Sequence, residues 1–157
     1  FGVQRVLQHL PGAELRGRLL SAGRAVPALK ALALWLLILV FAVANGGVRE
    51  AVLLKAFARD TAFTVSGLLL VACILAIAIL SIPWLGRLTY PQYALVGGLW
   101  LLLTLAFEFG FGLLVRGGTL DSLLDAYRFK DGNIWPVVLV VVAIAPTIAA
   151  LVRRPAR

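Results

Sequence analysis

At 157 residues, 62% hydrophobic and 14% charged, with a mean hydropathy of +0.99, the chain falls outside the range of soluble domains and has room for one compact bundle only. The net charge of +8 would suit a nucleic-acid partner, but the basic residues gather at the ends of apolar runs and are explained by membrane topology instead. The single cysteine, Cys73, excludes an intramolecular disulfide, and the single histidine, His9, lies outside every apolar run, so no ligand set for haem, pigment or a transition metal is expected.

Residues 1–28 form a basic tail, with Arg5, Arg16, Arg18 and Arg24 against the lone acid Glu14. From Glu14 to Ala25 the tail reads either as an amphipathic helix on the membrane surface, bounded by Pro11 and Pro27, or as a loosely ordered cytoplasmic segment. The chain opens on Phe1 and contains no methionine, so a longer N-terminus is expected. Four apolar stretches follow, at residues 29–47, 61–84, 93–115 and 134–152, each close to the ~20 residues that cross a bilayer as a helix. The first has a basic lead and Ala42-Val43-Ala44 before Asn45, like a cleavable secretory signal. It is read as an uncleaved anchor because the chain continues through it. A short turn at 85–92 carries Arg87 and Pro91, and longer connections are expected at 48–60 and 116–133. Residues 153–157 are a basic C-terminus.

Charge sets the expected orientation. Arg5, Arg16, Arg18, Arg24, Lys30, Arg87, Arg153, Arg154 and Arg157 all fall on the side of the tail, the short turn and the C-terminus. The two long connections hold six further basic residues, nearly balanced by Glu50, Asp60, Asp121, Asp125 and Asp131. The positive-inside rule then places both termini in the cytoplasm of a multi-pass protein of the bacterial inner membrane. Trp84, Tyr90 and Tyr93 would form the inner aromatic belt, and Tyr127, Phe129 and Trp135 the outer one.

Glu108 sits inside the third apolar run, where an ionised side chain costs at least a few kcal/mol and needs a partner or a purpose. The first and third spans run in the same direction. Counting ~1.5 Å per residue from Ala31 and from Tyr93 puts Asn45, Arg49 and Glu108 in neighbouring layers. Gly97, Leu101, Thr104, Glu108 and Gly112 share one helical stripe, and Ala42, Asn45, Gly46 and Arg49 share another. Small, polar stripes of this kind are the faces helices turn toward one another in lipid. The expectation is an intramembrane polar cluster of Asn45, Arg49, Glu50, Glu108 and Arg116. Glu108 would pair with Arg49 and Asn45 as a structural clasp between the first and third spans, or else serve as an ion- or proton-coupled site.

The outer loop carries its own pattern. Thr119 can cap a short helix with Asp121 in its first turn, and Leu120, Leu123, Leu124 and Tyr127 line one face, which reads as an interfacial helix. Asp131-Gly132-Asn133 makes a turn, Pro136 suits the first turn of the last span, and Pro146 should kink that span. The fold class is therefore all-α: a bundle of four transmembrane helices with a short interfacial helix in the last outer loop.

No catalytic, cofactor or metal constellation appears: no phosphate loop, no nucleophile elbow, no metal-ligand spacing. The stretches Asn45-Gly46-Gly47-Val48-Arg49-Glu50 and Phe107-Glu108-Phe109-Gly110-Phe111-Gly112, with Tyr127 and Ile134-Trp135-Pro136, resemble a pattern of small uncharacterised bacterial four-span membrane proteins, over residues 30–152. The resemblance implies a four-span bundle and carries no activity. Two functions are expected from the residues. One is a non-catalytic accessory subunit, packed among other membrane subunits and lipid in a larger inner-membrane complex. The alternative is a small homo-oligomeric transporter or channel using Glu108 with Arg49.

Overall fold

The computed structural model describes residues 13–153, with side chains from residue 26 onward. Residues 1–12 of the expected basic tail, and the C-terminal segment beyond Arg153, lie outside the described residues. Four helices are long and apolar enough to cross a membrane, at Val26–Ala56, Arg59–Leu85, Tyr90–Val115 and Trp135–Arg153, and no strand occurs among the described residues. Runs rich in Ala, Leu, Val and Ile offer the backbone no side-chain partners, so the helix, which bonds every N–H and C=O internally, is the state that satisfies it.

Helix α1 spans Ala13–Val48 and continues through a π-helical turn, Arg49–Leu53, into a last α-helical turn, Leu54–Ala56. This corrects two expectations. The helix passes unbroken through Pro27, and the connection expected at 48–60 is mostly helical, with only Phe57 and Ala58 outside helix before α2 (Arg59–Leu85). Gly46 and Gly47 do not end the helix because neither takes positive φ; each merely lowers helix propensity by about 1 kcal/mol.

At the other end of α2, Gly86 stops the helix with φ 96°, a conformation side chains with a Cβ resist. Thr89 then opens α3 (Tyr90–Gly110) with a capping box, its backbone N–H donating to Gln92 Oε1 at 2.8 Å. Pro91 is harmless in that first turn, so α3 begins three residues before the expected Tyr93. Tyr93 is not at an exposed aromatic belt: it is buried, and its hydroxyl donates to Gly86 O at 2.9 Å, closing the turn. Trp84 (51% exposed) and Tyr90 are the exposed aromatics at this end.

A second π-helical turn, Phe111–Val115, ends α3, with Arg116 N–H reaching back five residues to Phe111 O. The short helix α4 (Leu120–Asp125) follows, capped as expected by Thr119, whose hydroxyl accepts from Ser122 N–H. Its Leu123 lies against Gly112, where a Cβ would overlap it. Asp131 and Gly132 both take positive φ, and Gly132 also approaches the Asp60 carbonyl too closely for any side chain. Helix α5 (Trp135–Arg153) completes the bundle and runs unbroken through the buried Pro146.

The packing order around the bundle is α1, α2, α5, α3: α1 and α5 each pack on α2 and α3. Helix α5 is the most enclosed, and Gly97 of α3 lets the two backbones meet, because a Cβ there would strike the Ala143 carbonyl. Helices α1 and α3 are joined by a reciprocal pair of tryptophans. Trp100, 1% exposed, donates to Ala31 O at 2.8 Å, and Trp35 donates to Thr104 Oγ1 at 3.1 Å. Thr104 passes its own proton to Trp100 O at 2.8 Å, so both buried indoles are satisfied.

Candidate functional site

Those two tryptophan bonds fix the register of α1 against α3, and each joins residues 69 apart. Ala31 thus stands level with Trp100 and not with Tyr93, a slip of two turns or about 10 Å from the depth count made on sequence. Glu108 consequently lies level with Leu39, about 9 Å below Asn45 and about 15 Å below Arg49 along the helix axes. This is why the expected Glu108–Arg49 pair is not formed. Arg49 instead pairs with its neighbour Glu50, at 3.2 Å, and lies over the Phe63 ring at 4.5 Å. Asn45 turns to α2, where its Nδ2 donates to Ser66 Oγ at 2.9 Å and Ser66 O at 3.1 Å. Arg116 is exposed, and its side chain makes no ion pair with any of the others.

Glu108 has two partners that the sequence reading assigned to the outer aromatic belt. Tyr127 Oη donates to Glu108 Oε2 at 3.0 Å and Trp135 Nε1 donates to the same oxygen at 2.8 Å. Both are half-buried. Burial first, and then the neighbouring Glu108 charge, push the Tyr127 phenol up to about 12, so it remains a donor at any ordinary pH. The loop that delivers them is itself anchored: Asn133 Nδ2 donates to Ala126 O at 2.7 Å, and its Oδ1 accepts from Trp135 N–H at 2.9 Å. Thr64 Oγ1 ties α2 to the same loop through Gly132 O at 3.1 Å. The clasp thus exists, but it joins α3 to the α4–α5 loop and the first residue of α5, and not to α1. The shared stripe is dispersed in the same way. Gly97 faces α5, Thr104 faces α1, Gly112 faces α4, and a Cβ on Gly46 would meet open space.

What the misplaced charges do share is a cleft. A cavity of about 210 Å³ opens among all four long helices and is lined by Asn45, Arg49 and Glu108 together. Ser66, Thr104, Asn133 and Trp135 add polar groups to its wall, among the apolar side chains of Ile38, Leu39, Leu70, Ile74, Val138 and Val142 and the ring of Trp35. Arg49, which opens the π-helical turn Arg49–Leu53, lines the cleft, and the second π-helical turn, Phe111–Val115, follows Glu108 on α3. Such turns carry an extra residue per turn and re-aim the side chains around them, and they recur at functional positions. Glu108 Oε1 accepts no hydrogen bond from any described residue, and Asn45 Oδ1 likewise accepts none. Among the described residues no group of three His, Cys, Asp or Glu could hold a metal ion.

Tyr127 and Trp135 were missed because a belt position and a buried donor look alike in sequence. The usable signal was chemical: a carboxylate inside an apolar span needs donors, and the first Tyr and the first Trp after it in the sequence are these two. No family model, curated protein or solved structure matches the chain.

Proposed function

We propose that this is a multi-pass membrane protein whose work is done in the cleft: it is non-catalytic, and it receives a small amphipathic molecule between its helices, for carriage or sensing. One observation carries this reading, namely that polar atoms of Glu108 and Asn45, to which no described residue donates, line a mostly apolar cavity among all four long helices. Convergent polar groups at one end of an apolar pocket are what fixes the orientation of an amphiphile. The bundle stands in the bacterial inner membrane with both termini cytoplasmic, as the distribution of Lys and Arg requires, and α4 caps the outer end at the interface. The accessory-subunit reading rested on helices apolar all round; lipid covers such faces as well as a protein partner does, so it carries no preference.

Thiol chemistry tests the cleft. In a Cys73→Ala background, Ala42→Cys places a thiol on the cleft wall and Val40→Cys places one on the 64% exposed outer face of α1. A thiol in lipid cannot ionise and stays inert, whereas one in a wet cleft reacts. Iodoacetamide should alkylate the first and spare the second in liposomes, and octan-1-ol should slow the first reaction by occupying the cavity. Equal reactivity at the two positions, or no reaction at position 42, would remove the basis of the proposal.

A further inference from the structure

The cleft is electrically lopsided, and from this we infer the class of molecule it takes: a small amphiphile with a primary ammonium at its polar end and a short apolar chain behind it. The inference rests on the reading of the cleft as a binding site and adds the substrate class. Arg49 contributes little free charge, since its cation is already answered by Glu50 and by the Phe63 ring. Glu108 is answered only by neutral donors, both on Oε2. Its Oε1 and the Asn45 Oδ1 are therefore two acceptors, one of them charged, to which no described residue donates. A primary ammonium brings three N–H donors and the missing positive charge together.

Other ligand classes fit less well. An anion would face an unneutralised carboxylate in surroundings where charges act several-fold more strongly than in water. A quaternary ammonium has charge but no N–H to give either acceptor. The indoles of Trp35 and Trp135 have already spent their N–H groups on Thr104 and Glu108, so they offer a ligand only ring surface, which favours a cation or a chain over a polar neutral molecule. Leu39, Ile74 and Val142 line the same cavity, which suits the chain. At about 210 Å³ the cavity is below the ~300 Å³ at which drug-sized pockets begin, so the occupant is slender.

The same alkylation of Ala42→Cys, in phosphatidylcholine liposomes, separates the possibilities by the concentration giving half-protection. n-Octylamine should protect at least tenfold better than octan-1-ol, and better than octyltrimethylammonium, with octanoate weakest. Glu108→Gln should bring octylamine to within about twofold of octan-1-ol. If that variant fails to fold, the wild-type ratio of amine to alcohol decides alone. Replacing part of the phosphatidylcholine by phosphatidylethanolamine identifies the source. Protection by the ethanolamine lipid itself assigns the ammonium to a lipid headgroup, and protection by octylamine alone assigns it to a soluble amine. Equal protection by amine and alcohol, or by primary and quaternary amines, overturns the inference but leaves the cleft standing; protection by none of the compounds overturns both.

Discussion

Glu108 holds two neutral donors on one oxygen, and each substitution at this position removes a different part of that arrangement. Glu108→Gln keeps a carbonyl oxygen that can accept from both Tyr127 and Trp135, so its cost in thermal stability should stay under about 1 kcal/mol. Glu108→Leu strands both donors in a half-buried site, each worth about 1–3 kcal/mol when left unpaired, and should cost at least about 2 kcal/mol. Thermal unfolding in mild detergent measures both. A Gln variant as unstable as the Leu variant would mean that the charge, rather than the accepting oxygen, holds the loop. The residue scale is also where sequence said least. That Glu108 needed partners was evident from its burial in an apolar run. Which partners it had depended on how a loop of about twenty residues folds back over the bundle, and no local pattern encodes that.

Among the elements, helix type and number were legible because long apolar runs in lipid have one economical conformation. Thr119 and its short helix were legible too, since a cap acts through its immediate neighbours. Register was not. The depth count assumed that α1 and α3 begin level, whereas the Trp35–Thr104 and Trp100–Ala31 bonds set them two turns apart. Buried indole N–H groups must be satisfied, and that long-range requirement outweighed the alignment of apolar ends. Two glycines separate packing from composition. Gly97→Ala drives a methyl into the Ala143 backbone of α5 and should lower stability by about 1–3 kcal/mol. Gly46→Ala meets nothing within 4 Å and should leave stability unchanged or raise it by up to about 1 kcal/mol through helix propensity. Equal losses at the two sites, seen in the same thermal unfolding, would contradict the packing of α3 on α5. Thr104→Val should also destabilise by about 1 kcal/mol, because it leaves the Trp35 indole without its acceptor.

The whole molecule is a bundle in which α1 and α5 lie across from one another and the cleft is lined by all four long helices. The proposed orientation, with both termini cytoplasmic, predicts that Arg87→Cys, in a Cys73→Ala background, resists an impermeant thiol reagent added to intact cells and that Asp125→Cys reacts. The opposite pattern would invert the topology and move the cleft to the cytoplasmic side. The chemistry of the cleft depends on which residues face Glu108, and that is directly measurable. A double-mutant cycle of Glu108→Gln with Tyr127→Phe, beside one of Glu108→Gln with Arg49→Gln, compares the observed partner with the one the depth count suggested. Hydrogen bonds between membrane helices couple by about 0.6–1.7 kcal/mol in such cycles. Coupling of that size between positions 108 and 127, with none between 108 and 49, is the expected result; coupling to Arg49 in place of Tyr127 would contradict it.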